Sequence, residues 1–404
     1  MALQMTRVHL LVAMVVASIA ILATVVVALV WSATVRAPAS PVATKTVPPA
    51  AQPVSAESKT VFFGNMYFGR YINDWSMASP LQYAYPFSRM SEFNRGSYNA
   101  WIAGLECPSV SGLHLTSAEE DATLTFNCDP KYLPEAAKWM TAFTLANNHT
   151  GNQGEAGLTE TRQHLEASGI QYFGNPDPTV LSDVCEVIAL PATVTLDSTK
   201  TTQGSLPVAL CGYHGVFQIP PQSALDVMKR YAPYMPVIAM PHMGKEYVAY
   251  PDELKTTLYR EMIDAGADMV LGDHPHWVQT SESYHGHLIV YSMGNFLFDQ
   301  QDTSEVTRSA GISVDIVAKA TSSAELAVWL KIGATCGTPH DNCLATIEAQ
   351  QLKKLDYTFH MSVIGTDDSH KIVRPADAII QQAILKRLNW SQTISGLRAP
   401  YSAS

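Results

Sequence analysis

The sequence predicts an α/β domain preceded by one N-terminal transmembrane helix. Two observations carry the domain: short apolar runs alternate with amphipathic stretches between Val61 and Ser292, and several of those runs end beside Asn, Glu or His. A third carries the helix: one uncharged apolar block fills the N-terminus.

From Val8 to Trp31 the chain reads VHLLVAMVVASIAILATVVVALVW. At about 1.5 Å per residue this run spans a hydrocarbon core of about 30 Å. Secretory apolar cores are shorter, about 7–15 residues, so residues 1–36 are expected to form an uncleaved membrane anchor. A cleaved signal is the alternative, because Ala37-Pro38-Ala39 has the small residues of a cleavage site. Residues 37–59 are rich in Pro, Ala and Ser and predict an extended tether. The expected arrangement is a single-pass protein of the cell membrane with its main domain, residues 60–300, outside the cytoplasm.

Six cysteines agree with that side. Cys107, Cys128, Cys185, Cys211, Cys336 and Cys343 form no CxxC pair, and disulfides persist in oxidising compartments. The local pairings are Cys107–Cys128, Cys185–Cys211 and Cys336–Cys343. Buried thiols explain the first two pairs equally well; the third is expected to bridge. The chain carries 26 Lys and Arg against 36 Asp and Glu, a formal charge of -10. Without a basic stripe to neutralise phosphates, nucleic acid is an excluded partner.

Core strands are expected at Val61–Phe63, Trp101–Glu106, Phe143–Ala146, Ile170–Phe173, Val237–Met240, Asp268–Leu271 and Leu288–Ser292. Val184–Leu190 and Leu206–Cys211 read as paired strands. Glu155–Ala167 and Glu253–Ala265 read as amphipathic helices, each followed closely by a glycine. Beyond Phe298 the pattern changes. Ile312–Ala318, Ala324–Ile332 and Cys343–Ala349 suggest antiparallel strands, and Ala376–Leu388 an amphipathic helix. Residues 301–404 are thus expected to be a β-rich extension with a terminal helix, packed on the same domain.

Chemistry-bearing residues gather at the strand ends, where sites form in α/β folds. The segments are Ala146-Asn147-Asn148-His149, then His242-Met243-Gly244 with Glu246 beyond, then Gly272-Asp273-His274-Pro275-His276. Glu106 and Asn65 are further candidates. Imidazole and carboxylate oxygens suit Mn, Zn or Fe. Each segment alone also fits a structural role: a strand-end histidine is commonly structural, and the Asn-Asn pair fits turn chemistry.

The chain resembles the bacterial capsule-synthesis CapA family, also called poly-γ-glutamate biosynthesis proteins, within the calcineurin-like metallophosphatase superfamily. The resemblance covers Val61 to Phe298. It is carried by TLANNHTGNQGEAGLTETRQHLEASGIQYFG from Thr144, EMIDAGADMVLGDHPHWVQ from Glu261 and LIVYSMGNFLFD from Leu288. It implies a four-layer α/β/β/α sandwich with a site for one or two divalent ions. It further implies Glu106, Asn148, His242, His274 and His276 as metal ligands, with Asn65 at the position of the family's acid. His149 would protonate or stabilise a leaving oxygen, and Tyr291 and Asn295 would shape the site. Among neighbouring residues, Glu246 is expected to orient His242, and Arg70 to meet an anionic substrate or form a surface ion pair. Two positions depart from the family pattern: Asn65 replaces an acid, and Gly104 replaces the Asn of Asn-Leu-Glu.

Two functions follow as expectations. One is a metal-dependent phosphoesterase-type site acting on a phosphoester or an anionic polymer during capsule or poly-γ-glutamate biosynthesis. The other is a non-hydrolytic binding, export or tethering component of a cell-envelope complex. The loss of an anionic ligand at Asn65 favours the second.

Overall fold

The computed structural model describes residues 51–197, 199–337 and 342–404. The anchor predicted over residues 1–36 lies outside the described residues. Among the described residues no helix is long and apolar enough to cross a membrane.

Among the described residues, fifteen strands form a sheet-dominated mixed α/β fold. In chain order they are β1 (Pro53–Met66), β2 (Ala100–Leu105), β3 (Ala142–Thr144), β4 (Gln171–Phe173), β5 (Cys185–Leu196), β6 (Thr201–His214) and β7 (Val237–His242). There follow β8 (Met269–Leu271), β9 (Ser281–Tyr284), β10 (His287–Val290), β11 (Asn295–Leu297), β12 (Arg308–Lys319), β13 (Asp356–Asp367), β14 (Arg374–Pro375) and β15 (Tyr401–Ala403).

β1 organises the rest. Every second residue from Ala56 to Thr60 is buried, and from there to Met66 all are. The first half therefore has one solvated face, and the second half is covered on both. This strand begins at Pro53, so the predicted tether ends earlier than Lys59. The Pro/Ala/Ser composition hid the alternation of Ala56 and Ser58. One edge of β1 pairs antiparallel with β12 and then parallel with β11. The opposite edge pairs antiparallel with β5 and then parallel with β2. The sheet forks there: one branch runs β5-β6-β7-β8-β10-β9, the other β2-β3-β4.

Alternation along the fork separates two cores. Phe62, Ala100, Ile102 and Ala142 join the apolar side chains of β5 to β8. Val61, Phe63, Trp101, Ala103 and Phe143 face the other way and meet Leu158 and Leu165 of the helix Gly154–Ala167. The helix Glu253–Asp264 buries Leu258, Tyr259 and Met262 in the first core.

Two expected strands after Phe298 are helices instead. Ser323–Gly333 is capped by Ser322, which accepts from Glu325 N–H, and buries Leu326, Trp329 and Ile332. Cys343–Ala349 buries Leu344 and Ile347. Both runs are short and apolar, so their period alone is ambiguous; packing against β6 and the serine cap decide for helix. The terminal helix starts at Ala378, with Asp377 accepting from Ile379 and Ile380 N–H. Residues 308–319 run antiparallel beside β1 as β12, and residues 356–367 run antiparallel beside β12 as β13. All three local disulfides form: Cys107–Cys128, Cys185–Cys211 and Cys336–Cys343.

Candidate metal centre

Parallel pairing brings the strand ends together. Asn65 is the register partner of Gly104 in β2 and of Asn295 in β11. His242 ends β7 and bridges to Asp273 just beyond β8. Glu106 directly follows β2, and Asn148 and His149 lie in the turn after β3. Gly64 permits the closest approach: a Cβ there would lie 2.0 Å from Gly294 O, the oxygen that accepts from Asn65 N–H.

Glu106, His242 and His274 are buried, and one ligand atom of each lies within 4.8 Å of the others. His242 Nδ1 donates to Asp273 Oδ1 at 2.8 Å, which leaves the lone pair on Nε2. That Nε2 lies 2.7 Å from Asn148 Oδ1, 3.1 Å from His274 Nδ1 and 4.0 Å from Glu106 Oε1. Burial holds His242 and His274 well below the usual imidazole range, so both rings are neutral at pH 7. His242 Nε2 thus stands between the Asn148 oxygen and a ring nitrogen of His274. Glu106 Oε2 is buried without a hydrogen-bond partner. Burial first, then the charges of Asp273 and Glu246, holds its carboxyl well above the usual range. Imidazole nitrogens and an amide oxygen converging on a buried carboxyl whose second oxygen has no partner among the described residues are the donor set of a cation site. The residues present fit a divalent metal.

His276 belongs to an adjoining group. Its Nδ1 donates to Asn295 Oδ1 at 2.8 Å, so its Nε2 also carries a lone pair. Asn65 Nδ2 donates to the same Asn295 oxygen at 3.2 Å, and Asn65 Oδ1 accepts from His274 N–H at 3.3 Å. Asn65 thus connects the two groups through neutral hydrogen bonds. Glu246 closes the mouth, with Oε1 3.9 Å from His274 Nε2 and 4.0 Å from His276 Nε2. It faces these two rings rather than His242, the partner expected for it. His274 and His276 flank Pro275 with φ of 89° and 61°. Two non-glycine residues in left-handed backbone mark a segment held by its surroundings, as site segments commonly are.

His149 stands apart from the His242 group. Its ring stacks on Phe126 at 3.9 Å, and Nδ1 donates to Asn152 Oδ1 at 3.0 Å. Burial lowers its pKa to about 4. The neutral ring also bonds the Leu124 backbone. Arg70 is held by Asp299 through bonds of 2.8 and 2.7 Å and by Asp121 at 3.1 Å. Tyr291 donates to Glu282 at 2.7 Å and stacks on Tyr259.

Three further residues emerge from the structure. Asp273 orients His242, and its other oxygen is buried without a hydrogen-bond partner. A Cβ at Gly104 would lie 2.6 Å from that oxygen. The glycine that departs from the family pattern is thus the residue that makes room for this carboxylate. Asn147 donates to Leu105 O at 2.6 Å and accepts from His149 and Thr150 N–H, tying the β2 and β3 ends together. His214, at the end of β6, is the register partner of His242 and donates Nδ1–H to Pro176 O. The position of Asp273 directly before His274 was the available signal for the first. The strand-end position of His214 was the signal for the third.

The family profile described as bacterial capsule synthesis protein PGA_cap matches residues 59–181 and 222–300, half of the chain. The chain is 29% identical over 258 residues to the PGA biosynthesis protein CapA of Bacillus subtilis (strain 168), covering 59% of this chain and 63% of that protein. It is 25% identical over 260 residues to the capsule biosynthesis protein CapA of Bacillus anthracis, covering 59% of each. The matched part thus spans about three-fifths of the length of these curated relatives.

Proposed function

From the premise that this chain belongs to the bacterial capsule synthesis protein PGA_cap family, we propose that it acts in building a capsular, poly-γ-glutamate-type polymer at the cell envelope. Its site is of the metal-dependent phosphoesterase type, on a four-layer α/β/β/α sandwich. One observation carries the site: Glu106, His242 and His274 converge with Asn148 in one buried group, where Glu106 Oε2 has no hydrogen-bond partner among the described residues. Three disulfides and the apolar run from Val8 to Trp31 support an anchored, extracytoplasmic protein.

Glu106, Asn148, His242 and His274 would hold the ion, with His276 and Glu246 beside it. Mn, Zn or Fe suits these ligands, as one ion or two. A divalent ion there supplies Lewis-acid polarisation of a phosphoryl or acyl oxygen. Asp273 keeps His242 in the tautomer that presents Nε2. His149 sits in the turn that carries Asn148, its ring oriented by Asn152. Full-length protein loaded with Mn or Zn is expected to hydrolyse an aryl phosphate, and His274→Ala to abolish it. Equal rates in wild type and variant would sink the reading.

A second reading has its own observation. Asn65 stands where the family places an acid, and it is bound into neutral hydrogen bonds with Asn295 and His274 N–H. That favours a non-hydrolytic component that binds, exports or tethers the polymer. Protein that retains stoichiometric metal but hydrolyses no phosphoester would select it.

A further inference from the structure

A cavity of about 300 Å³ opens between the loop after β7, the start of β12 and the end of the terminal helix. Tyr250, Arg308, Ala383, Lys386 and Arg387 line it. Three cations therefore converge on one concavity in a chain whose formal charge is -10. Arg308 and Arg387 both pair with Glu305, the latter at 3.0 Å. One carboxylate shared between two guanidiniums leaves positive charge in excess at the wall. Arg308 Nε is buried without a hydrogen-bond partner. Lys386 and Arg387 also complement the end of their helix, but Arg308 comes from a strand and has no such role. Like charges around one concavity repel unless an anion enters.

The loop after β7 contributes to both this cavity and the mouth of the metal centre, and Arg387 touches the segment that carries His276. Arg387 donates to Val278 O at 3.3 Å and lies over the Trp277 ring, next to His276. Gln279 Nε2 donates to Tyr250 O at 3.2 Å and to Val248 O at 3.1 Å. Tyr247, in the same loop, stacks on His276 at 5.4 Å. Tyr250 itself is 70% exposed, an aromatic face at the rim.

We propose that this cavity is a subsite for the pendant carboxylates of a polycarboxylate chain that passes the metal centre. Guanidiniums recognise carboxylates through paired N–H donors, and Tyr250 offers an apolar face to the methylenes between them. The proposal rests on the envelope-polymer reading above, and its test fails separately from that reading.

The test measures binding of a fluorescent γ-linked glutamate oligomer to metal-loaded full-length protein, with polyphosphate as the competing polyanion. Lys386→Ala/Arg387→Ala is expected to weaken oligomer binding by about tenfold or more, the loss of a charge-assisted contact. Its salt dependence should become shallower. Metal content and melting temperature should match wild type in the variant changed at Lys386 alone. Because Arg387 also holds Val278 O, Lys386→Glu serves as the second variant: Lys386 is exposed and can be reversed without touching that bond. Unchanged oligomer affinity in folded Lys386→Glu would overturn the subsite and leave the metal centre intact. No oligomer binding by wild type, or tighter binding of polyphosphate, would overturn the polycarboxylate assignment. Loss of aryl phosphate hydrolysis in His274→Ala is read independently of all three.

Discussion

Gly104 and Asp273 form a pair whose members depend on each other. Asp273 needs space for a second buried oxygen, and residue 104 provides it by having no Cβ. Gly104→Ala would place a Cβ 2.6 Å from that oxygen in a fully buried strand. We expect a loss of about 1–3 kcal/mol from overpacking, with reduced metal content, read by thermal melting and elemental analysis. Asp273→Asn keeps the volume and removes the charge; it should lower metal affinity by about 10–100-fold with little change in melting.

Protonation at the same residues gives a second expectation. His149 and His276 have pKa values of about 4 in the fold against 6.5 in an unfolded chain. The unfolded state takes up their protons first, so metal-free stability falls as pH drops from about 6.5 towards 4. Asp273 works in the opposite direction. Burial raises it from 3.8 to about 8, so its contribution is full at low pH and is lost as pH rises towards 8. Glu106 is raised as well and adds to that loss. His242 and His274 are lowered as well, so four imidazoles outweigh the two carboxyls below about pH 6.5, and chelated protein should melt highest near there and lower on either side. A divalent ion compensates the carboxylates, so it should raise the alkaline limb more than the acid one. Scanning fluorimetry across pH, with chelator and with Mn or Zn, measures this; equal ion-induced shifts on both limbs would contradict it.

At the scale of elements, the strands that carry the site were legible because each is a short apolar run ending in a polar residue. β2, β3, β7, β8 and β10 lie where their runs lie in the sequence. Three features were not. Residues 53–59 read as tether, since only burial shows that Ala56 and Ser58 alternate against β5 and β12. The helices Ser323–Gly333 and Cys343–Ala349 read as strands, since an apolar run with few polar interruptions fits both periods. Their identity comes from what they touch: Leu330 lies over Gly204, and Trp329 Nε1 donates to Lys353 O at 3.1 Å.

At the scale of the molecule, β1 joins everything. Its eight register pairs with β12 run from Ser55 to Phe62 and tie the N-terminal strand to residues 312–319. β13 then pairs along β12 from Arg308 to Lys319. A chain ending at Phe298 would expose this edge of β1 and the apolar faces of both branches. We expect such a truncation to lose cooperative unfolding and to bind an apolar dye, measured by circular dichroism and dye fluorescence. Cooperative melting of the truncated chain would show that residues 301–404 are dispensable.

The residue types of the site were determined by the sequence alone. A strand-end Glu106, an Asn148-His149 turn, His242 and the His274-Pro275-His276 run are local patterns, visible because chemistry-bearing groups interrupt apolar periodicity. Which of them act together was decided only by tertiary structure. Glu106, His242 and His274 converge, whereas His276 joins Asn65 and Asn295, and Arg70 is held by Asp299. The unassigned partner, Asp273, has the same origin. Its bond to His242 spans 31 residues and its space comes from Gly104 on another branch of the sheet. Strand pairing across the fork sets these distances, and no local pattern encodes them.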